Sequence, residues 1–214
     1  MKNKDLISCI ICVLLAVFLC SCASSNAEKN VGIEKAAYSV LEKKGAFEIR
    51  RYEPCIIAET VVESNFQNAG NIAFSRLFNY ISGQNRKKES IAMTAPVNQK
   101  AASEKIAMTA PVSQQKVEDK WSVSFLMPSK YTMKTIPEPL DASVVIKEIS
   151  ARKMAAVRYS GTWSKKHYDS HKALLDKFIQ ERGLKACGSD IFARYDPPFQ
   201  LFFLRRNEVL IPVE

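Results

Sequence analysis

The chain has 214 residues with a net charge of +9, and 47% of them are hydrophobic. That length suffices for one substantial core and one domain. Lys and Arg are spread along the chain rather than massed, which reads as a solvated surface and not as a nucleic-acid interface.

The first segment is built for export. Lys2 and Lys4 lie in a short n-region, Met1–Asp5, and Leu6–Leu19 follows as 14 residues that are apolar except for Ser8. Crossing a bilayer takes about 20 apolar residues, so this run fits a signal-peptide core better than an uncleaved anchor helix. It closes on Leu19-Cys20-Ser21-Cys22, a pattern resembling the bacterial lipobox, in which bulky Leu19 makes Cys20 the poorer candidate. The expectation is a lipoprotein signal peptide over 1–21, palmitate-type lipidation at Cys22, a polar flexible tether over 22–35 and a folded domain over 36–214. Ala23 rather than Asp after the cysteine favours the outer membrane of a cell envelope, by analogy with Gram-negative sorting. Losing Lys2, Lys4 and Asp5 leaves 29 basic and 21 acidic side chains, net +8. Cys9, Cys12 and Cys20 leave with the signal, so the six cysteines are no disulfide framework. Cys55 and Cys187 remain, as one disulfide or as two separate thiols.

Beyond the tether, Tyr38–Leu41, Phe47–Tyr52 and Cys55–Val62 read as strands, rich in β-branched and aromatic residues and broken by Lys44-Gly45 and Glu53-Pro54. Asn65–Ser82 has a helical period with Gly83 as its stop. A tandem duplication of 15 residues follows, Ser90–Glu104 and Lys105–Asp119, with IAMTAPV identical at 91–97 and 106–112. Within each copy Ile, Met, Ala and Val alternate to one side, so the pair reads as a possible β-hairpin with its prolines at an edge or strand end. Further strands are expected at Trp121–Met127, Val144–Ile149, Met154–Tyr159, Ile191–Tyr195, Gln200–Leu204 and Val209–Val213, with a second helix over Ser164–Arg182 stopped by Gly183. Both halves run strands, helix, strands. The fold class is α+β, with helices packed on an antiparallel sheet.

FEIRRYEPCIIAETVV at 47–62, KIAMTAPV at 105–112, FLMPSKY at 125–131 and ARYDPPFQLFFLRRNEVLI at 193–211 together resemble the SOUL haem-binding family, over about residues 36–214. The resemblance implies a pseudo-two-fold distorted antiparallel β-barrel with two flanking helices. It also implies haem or another tetrapyrrole in a shallow apolar groove beside the first helix, and no enzyme activity. At the family's basic rim positions this chain carries Asn71, Asn79 and Gln200, which can hydrogen-bond a carboxylate but bring no charge. That departure keeps a second reading open, a module for a different amphipathic small molecule.

The first helix can be weighed by itself. Ala69, Ile72, Ala73, Leu77 and Tyr80 fall on one side of a helical wheel, and Phe74, Phe78 and Ile81 widen the apolar arc to roughly 240°, where packing one face needs ~100° or a little more. Either protein layers cover the excess or a flat apolar ligand does. The ligand-binding candidates are therefore Asn71, Phe74, Leu77, Phe78, Phe199 and Gln200. His167 and His171 stand at i and i+4 on the second helix, as iron or metal ligands or as plain helix histidines; two ligands without a third are weak evidence for a metal. There is no Gly-x-Ser-x-Gly, no phosphate-cradling glycine loop and no HExxH, so nothing positive speaks for an enzyme.

Overall fold

Strands fall where β-branched and aromatic residues cluster. In the computed structural model, which describes residues 33–88 and 103–214, β1 is Glu34–Lys35, β2 Tyr38–Lys44, β3 Phe47–Tyr52 and β4 Cys55–Val62. After helix α1, Phe66–Ile81, come β5 Asn85–Arg86, β6 Thr109–Ala110, β7 Val112–Val117, β8 Lys120–Leu126, β9 Glu138–Pro139, β10 Val144–Ile149 and β11 Arg152–Tyr159. Helix α2, Lys165–Glu181, then leads to β12 Ile191–Arg194, a 3-10 turn at Phe202–Leu204, and β13 Asn207–Pro212. The signal, the lipidation cysteine, most of the tether and the first repeat copy up to residue 102 lie outside the described residues.

Nine strands form one antiparallel sheet in the order β10-β4-β8-β7-β12-β13-β11-β3-β2. Reading that order from either end exposes the two-fold: β3, β4, α1, β7 and β8 of the first half correspond to β10, β11, α2, β12 and β13 of the second. The axis passes between β7 and β12, and each half lends its first strand to the other, β10 pairing with β4 and β3 with β11. The barrel stays open, because the edge strands β10 and β2 do not pair with each other.

Both helices are stopped as their ends predict. The Asn65 side chain accepts a hydrogen bond from the Asn68 N–H and the Ser164 side chain from the His167 N–H, each satisfying a donor the first turn leaves free. Gly183, at φ +63°, takes the left-handed position past α2. The helices share one face of the sheet. Phe66 of α1 stacks on Tyr168 of α2 and on Phe192 of β12, each at 5.6 Å, at the centre of a core that includes Leu77, Phe125, Val157 and Val209.

The opposite face holds a smaller apolar cluster around Met154, Ile191 and Leu210. It also holds a buried ion pair. Arg50 of β3 meets Glu208 of β13 through two bonds, Nη1–Oε2 at 2.7 Å and Nη2–Oε1 at 3.0 Å, and Tyr195 and Arg206 donate to the same carboxylate. Burial alone would raise the Glu208 carboxyl, but the Arg50 and Arg206 guanidiniums outweigh it and hold it below the usual range.

Two expectations need correction. Gln200–Leu204 is not a strand: its four consecutive apolar residues lack alternation, and they form the exposed 3-10 turn instead. Ile72, expected on the packed side of α1, is exposed. The second IAMTAPV copy, Ile106–Val112, pairs β6 with β1 in parallel and sends β7 to β8 and β12, so it finds its neighbours outside the repeat; Pro111 falls between β6 and β7, where no ladder N–H is needed. The expected hairpin between copies lies outside the described residues on its first side. Cys55 and Cys187 are separate thiols, the first half-buried and the second exposed.

Candidate functional site

Helix α1 turns Ala69, Ala73, Leu77 and Tyr80 into the core and leaves two phenylalanines outside it. Phe74 is 38% and Phe78 47% exposed, and four residues apart they stack on each other with ring centroids 5.8 Å apart. Fully burying such a side chain is worth about 1.5–3 kcal/mol, so the fold forgoes part of that gain twice on one helix face.

The two rings form one wall of a groove of about 430 Å³, within the ~300–1,000 Å³ of small-molecule sites. Met108, Ala110 and Val112 of the second repeat copy line its floor, and Trp163 with Pro197 and Pro198 the far side. Most of this lining is apolar or aromatic. A larger hollow of about 610 Å³ near β1 carries four charged side chains, Glu34, Lys35, Lys134 and Glu148, and no comparable aromatic wall.

One cation enters the groove. Arg194, the last residue of β12, lines it, and its Nη2 is sealed from solvent with no hydrogen-bond partner. Burial pushes this guanidinium down to about 10, so it keeps its proton at neutral pH. Gly70 makes room: a Cβ there would stand 3.1 Å from Nη2. Aromatic rings supply the partial compensation, with the guanidinium carbon 5.3 Å from the Trp163 centroid and 5.7 Å from that of Phe192. An unpaired buried donor of this kind costs about 1–3 kcal/mol or more when charged.

Neighbouring motif residues hold these walls in place. Trp163 Nε1 donates to Asn207 Oδ1 at 2.9 Å, and Asn207 Nδ2 in turn donates to the Gly161 carbonyl. The Asp196 carboxylate, also on the groove, accepts the Arg206 backbone N–H. RRNE at 205–208 is thus a positioning motif: Arg205 stacks on Trp163 at 4.4 Å, Asn207 holds the same ring, and Arg206 and Glu208 serve the buried pair.

Of the residues singled out in the sequence, Asn71, Phe74 and Phe78 line the groove. Leu77 does not: it is 0% exposed and belongs to the core beneath α1. Phe199 stands beyond the groove lining and is 85% exposed, while Gln200 is half-buried with its carbonyl taken by Arg205. Asn79 is exposed on α1, and Arg76 reaches away to Thr60 on β4. His167 and His171 are outside the groove. His171 stacks flat on Tyr159 at 3.8 Å, and among the described residues no group of three or more His, Cys, Asp or Glu is placed to hold a metal. Arg194 escaped the sequence reading, although the strand period carried the signal: Phe192 faces the helices, and Arg194, two residues on, shares that face.

Comparisons with known proteins converge on one family. A family model described as SOUL heme-binding protein matches residues 33–212. "Heme-binding protein 2" of Mus musculus is 29% identical over 178 residues, covering 82% of each chain, and "Heme-binding protein 1" of Xenopus tropicalis is 29% identical over 176, covering 78% of this chain and 84% of its own. Among solved structures, the EcmrR C-terminal domain superposes with a TM-score of 0.50 at 10% identity, over 83% of this chain and 98% of that domain. A hydrolase from Listeria innocua gives 0.50 at 10% identity, over 81% and 94%. These structures share the fold alone.

Proposed function

Because the chain belongs to the SOUL haem-binding protein family, we propose that the groove beside α1 takes a tetrapyrrole, haem first of all, and that the protein acts as a binding module rather than an enzyme. One observation carries this reading: stacked Phe74 and Phe78 left uncovered on a helix whose remaining apolar residues are mostly buried, in an apolar groove that Arg194 also lines. Phe74 and Phe78 would offer faces to the macrocycle, and Arg194 would take a propionate. Haem, when bound, supplies iron redox and ligand chemistry; this chain's residues bind and orient the ring and keep its faces from water. No histidine is among the described residues that line the groove, so affinity here rests on apolar contact and the carboxylate.

Titrating residues 33–214 with haemin should give a saturable Soret shift at micromolar concentration, and Phe78→Asp should weaken it about tenfold or more, by placing a charge where an apolar face belongs. A titration that never saturates would remove the reading.

A second reading has a specific basis. Arg194 is the one cation among the described lining residues, whereas haem has two propionates. A different amphipathic molecule with a single carboxylate would satisfy the groove equally. Mass spectrometry of protein purified from its native envelope separates the two, since stoichiometric porphyrin excludes the second. We further propose that a lipid on Cys22 holds the domain at the cell envelope, at the outer membrane, on the strength of the lipobox-like sequence.

A further inference from the structure

The turn between β12 and β13 carries an apolar surface that the groove does not use. Phe199, Leu201, Phe202, Phe203 and Leu204 are each more than half exposed. Single exposed apolar residues are ordinary on a protein surface, but five within six consecutive positions form a patch.

Part of the polar backbone of this turn is satisfied from within. Gln200 N–H donates to the Pro197 carbonyl at 3.1 Å, Leu204 N–H to Leu201 at 2.9 Å and Arg205 N–H to Phe202 at 3.3 Å; the Phe202 carbonyl also accepts Gly161 N–H at 2.9 Å. The Arg205 guanidinium caps two more carbonyls, Gln200 at 2.8 Å and Pro198 at 2.5 Å. Each such bond lowers the cost of carrying the turn into an apolar medium, where an unpaired backbone group is costly.

Charge tells which medium. Arg205 has no carboxylate partner among the described residues, its guanidinium lying over Trp163 and the loop carbonyls. Arg158 of β11 is exposed, makes no ion pair among the described residues, and borders a shallow hollow with Phe203 and Leu204. Aromatic and aliphatic side chains at the tip with cations at the base match the layering of a phospholipid interface, apolar tails inside and phosphates outside.

We propose that Phe199–Leu204 inserts into the interface of an anionic phospholipid bilayer, with Arg158 and Arg205 meeting the phosphates. The proposal stands on this turn and is independent of the haem reading. It has a consequence for the groove nonetheless: Pro197 and Pro198 wall the groove and run directly into the turn, so a docked turn brings the groove beside the membrane.

Residues 33–214, which contain the whole described core and carry no lipid, should co-float with phosphatidylcholine vesicles that contain phosphatidylglycerol. Phe202→Ser with Phe203→Ser should lose that binding about tenfold or more, and Arg158→Gln should weaken it about fivefold. The melting temperature of each variant, expected to match the parent, separates this loss from unfolding. Phe203→Trp should shift its emission to the blue on vesicles and be quenched by brominated lipid. Failure to co-float, or serine variants that bind as tightly as the parent, would overturn the proposal. So would a concentration-dependent dimer that the serine variants lose while vesicles bind neither protein, for the patch would then join copies of the chain.

Discussion

Arg50, which is buried, and Arg194, which is half-buried with a sealed Nη2, are cations on the same sheet that ask for different partners. Arg50 has Glu208 in a two-bond pair with neither residue open to water, whereas Arg194 has an Nη2 that bonds to nothing. Removing one half of a buried pair strands the other, at a cost of about 3–5 kcal/mol. Glu208→Gln should therefore lower the free energy of urea unfolding by that order at neutral pH. The folded Glu208 carboxyl lies below its ordinary value, so the stability it contributes is fully present above about pH 4.3, the unfolded value, and is lost as pH falls through the depressed folded value. Urea midpoints measured across that acid window should fall for the parent and lack this component in Glu208→Gln. Arg194→Gln should do the reverse: stability equal to or above the parent, because an unpaired charge is gone, and haemin affinity about tenfold lower. Haemin dimethyl ester, which has no carboxylate, should bind parent and variant alike. An unchanged haemin affinity in Arg194→Gln would take the arginine out of the site while leaving the groove in question to the Phe78 test.

At the scale of elements, what the sequence made legible is what local chemistry determines. α1 and α2 begin and end at Asn65, Ser82, Ser164 and Arg182, because capping side chains and stop glycines act within one turn. Phe47–Tyr52, Cys55–Val62 and Val144–Ile149 have the bounds expected of them, because their β-branched runs are closed by Pro or by short breaks. The ligand face of α1 was half legible. A wide apolar arc announces an unfilled sector, but which residue looks into it depends on the tilt of the helix on the sheet, so Leu77 lies in the core and Ile72 is exposed outside the groove. The Gln200–Leu204 turn misled because hydrophobicity without alternation is compatible with a buried strand, a buried helix or an exposed patch, and composition cannot choose among them. Arg194 required register: only when β12 is seen facing the helices does an arginine in IFAR point at the groove.

The two-fold relates the halves of the sheet but not their uses. The first half surrounds α1 with the groove, while in the second half Tyr159 and His171 close on each other beside α2. The proposed functions thus gather at one end, where the groove, Trp163 and the exposed turn adjoin. None of the described helices is long and apolar enough to cross a bilayer. The proposed lipid on Cys22 and the proposed turn would act together, since two weak attachments hold where one is marginal. The lipid can be tested apart from the turn. In cells fed labelled palmitate, the parent should carry label and lack residues 1–21 by mass; Cys22→Ser should carry none and accumulate with residues 1–21 still attached. Cys20→Ser should label as the parent does, because Leu19 makes Cys20 the poorer substrate. Label that persists in Cys22→Ser and vanishes in Cys20→Ser would move the anchor to Cys20, and label absent from the parent would remove the lipid anchor.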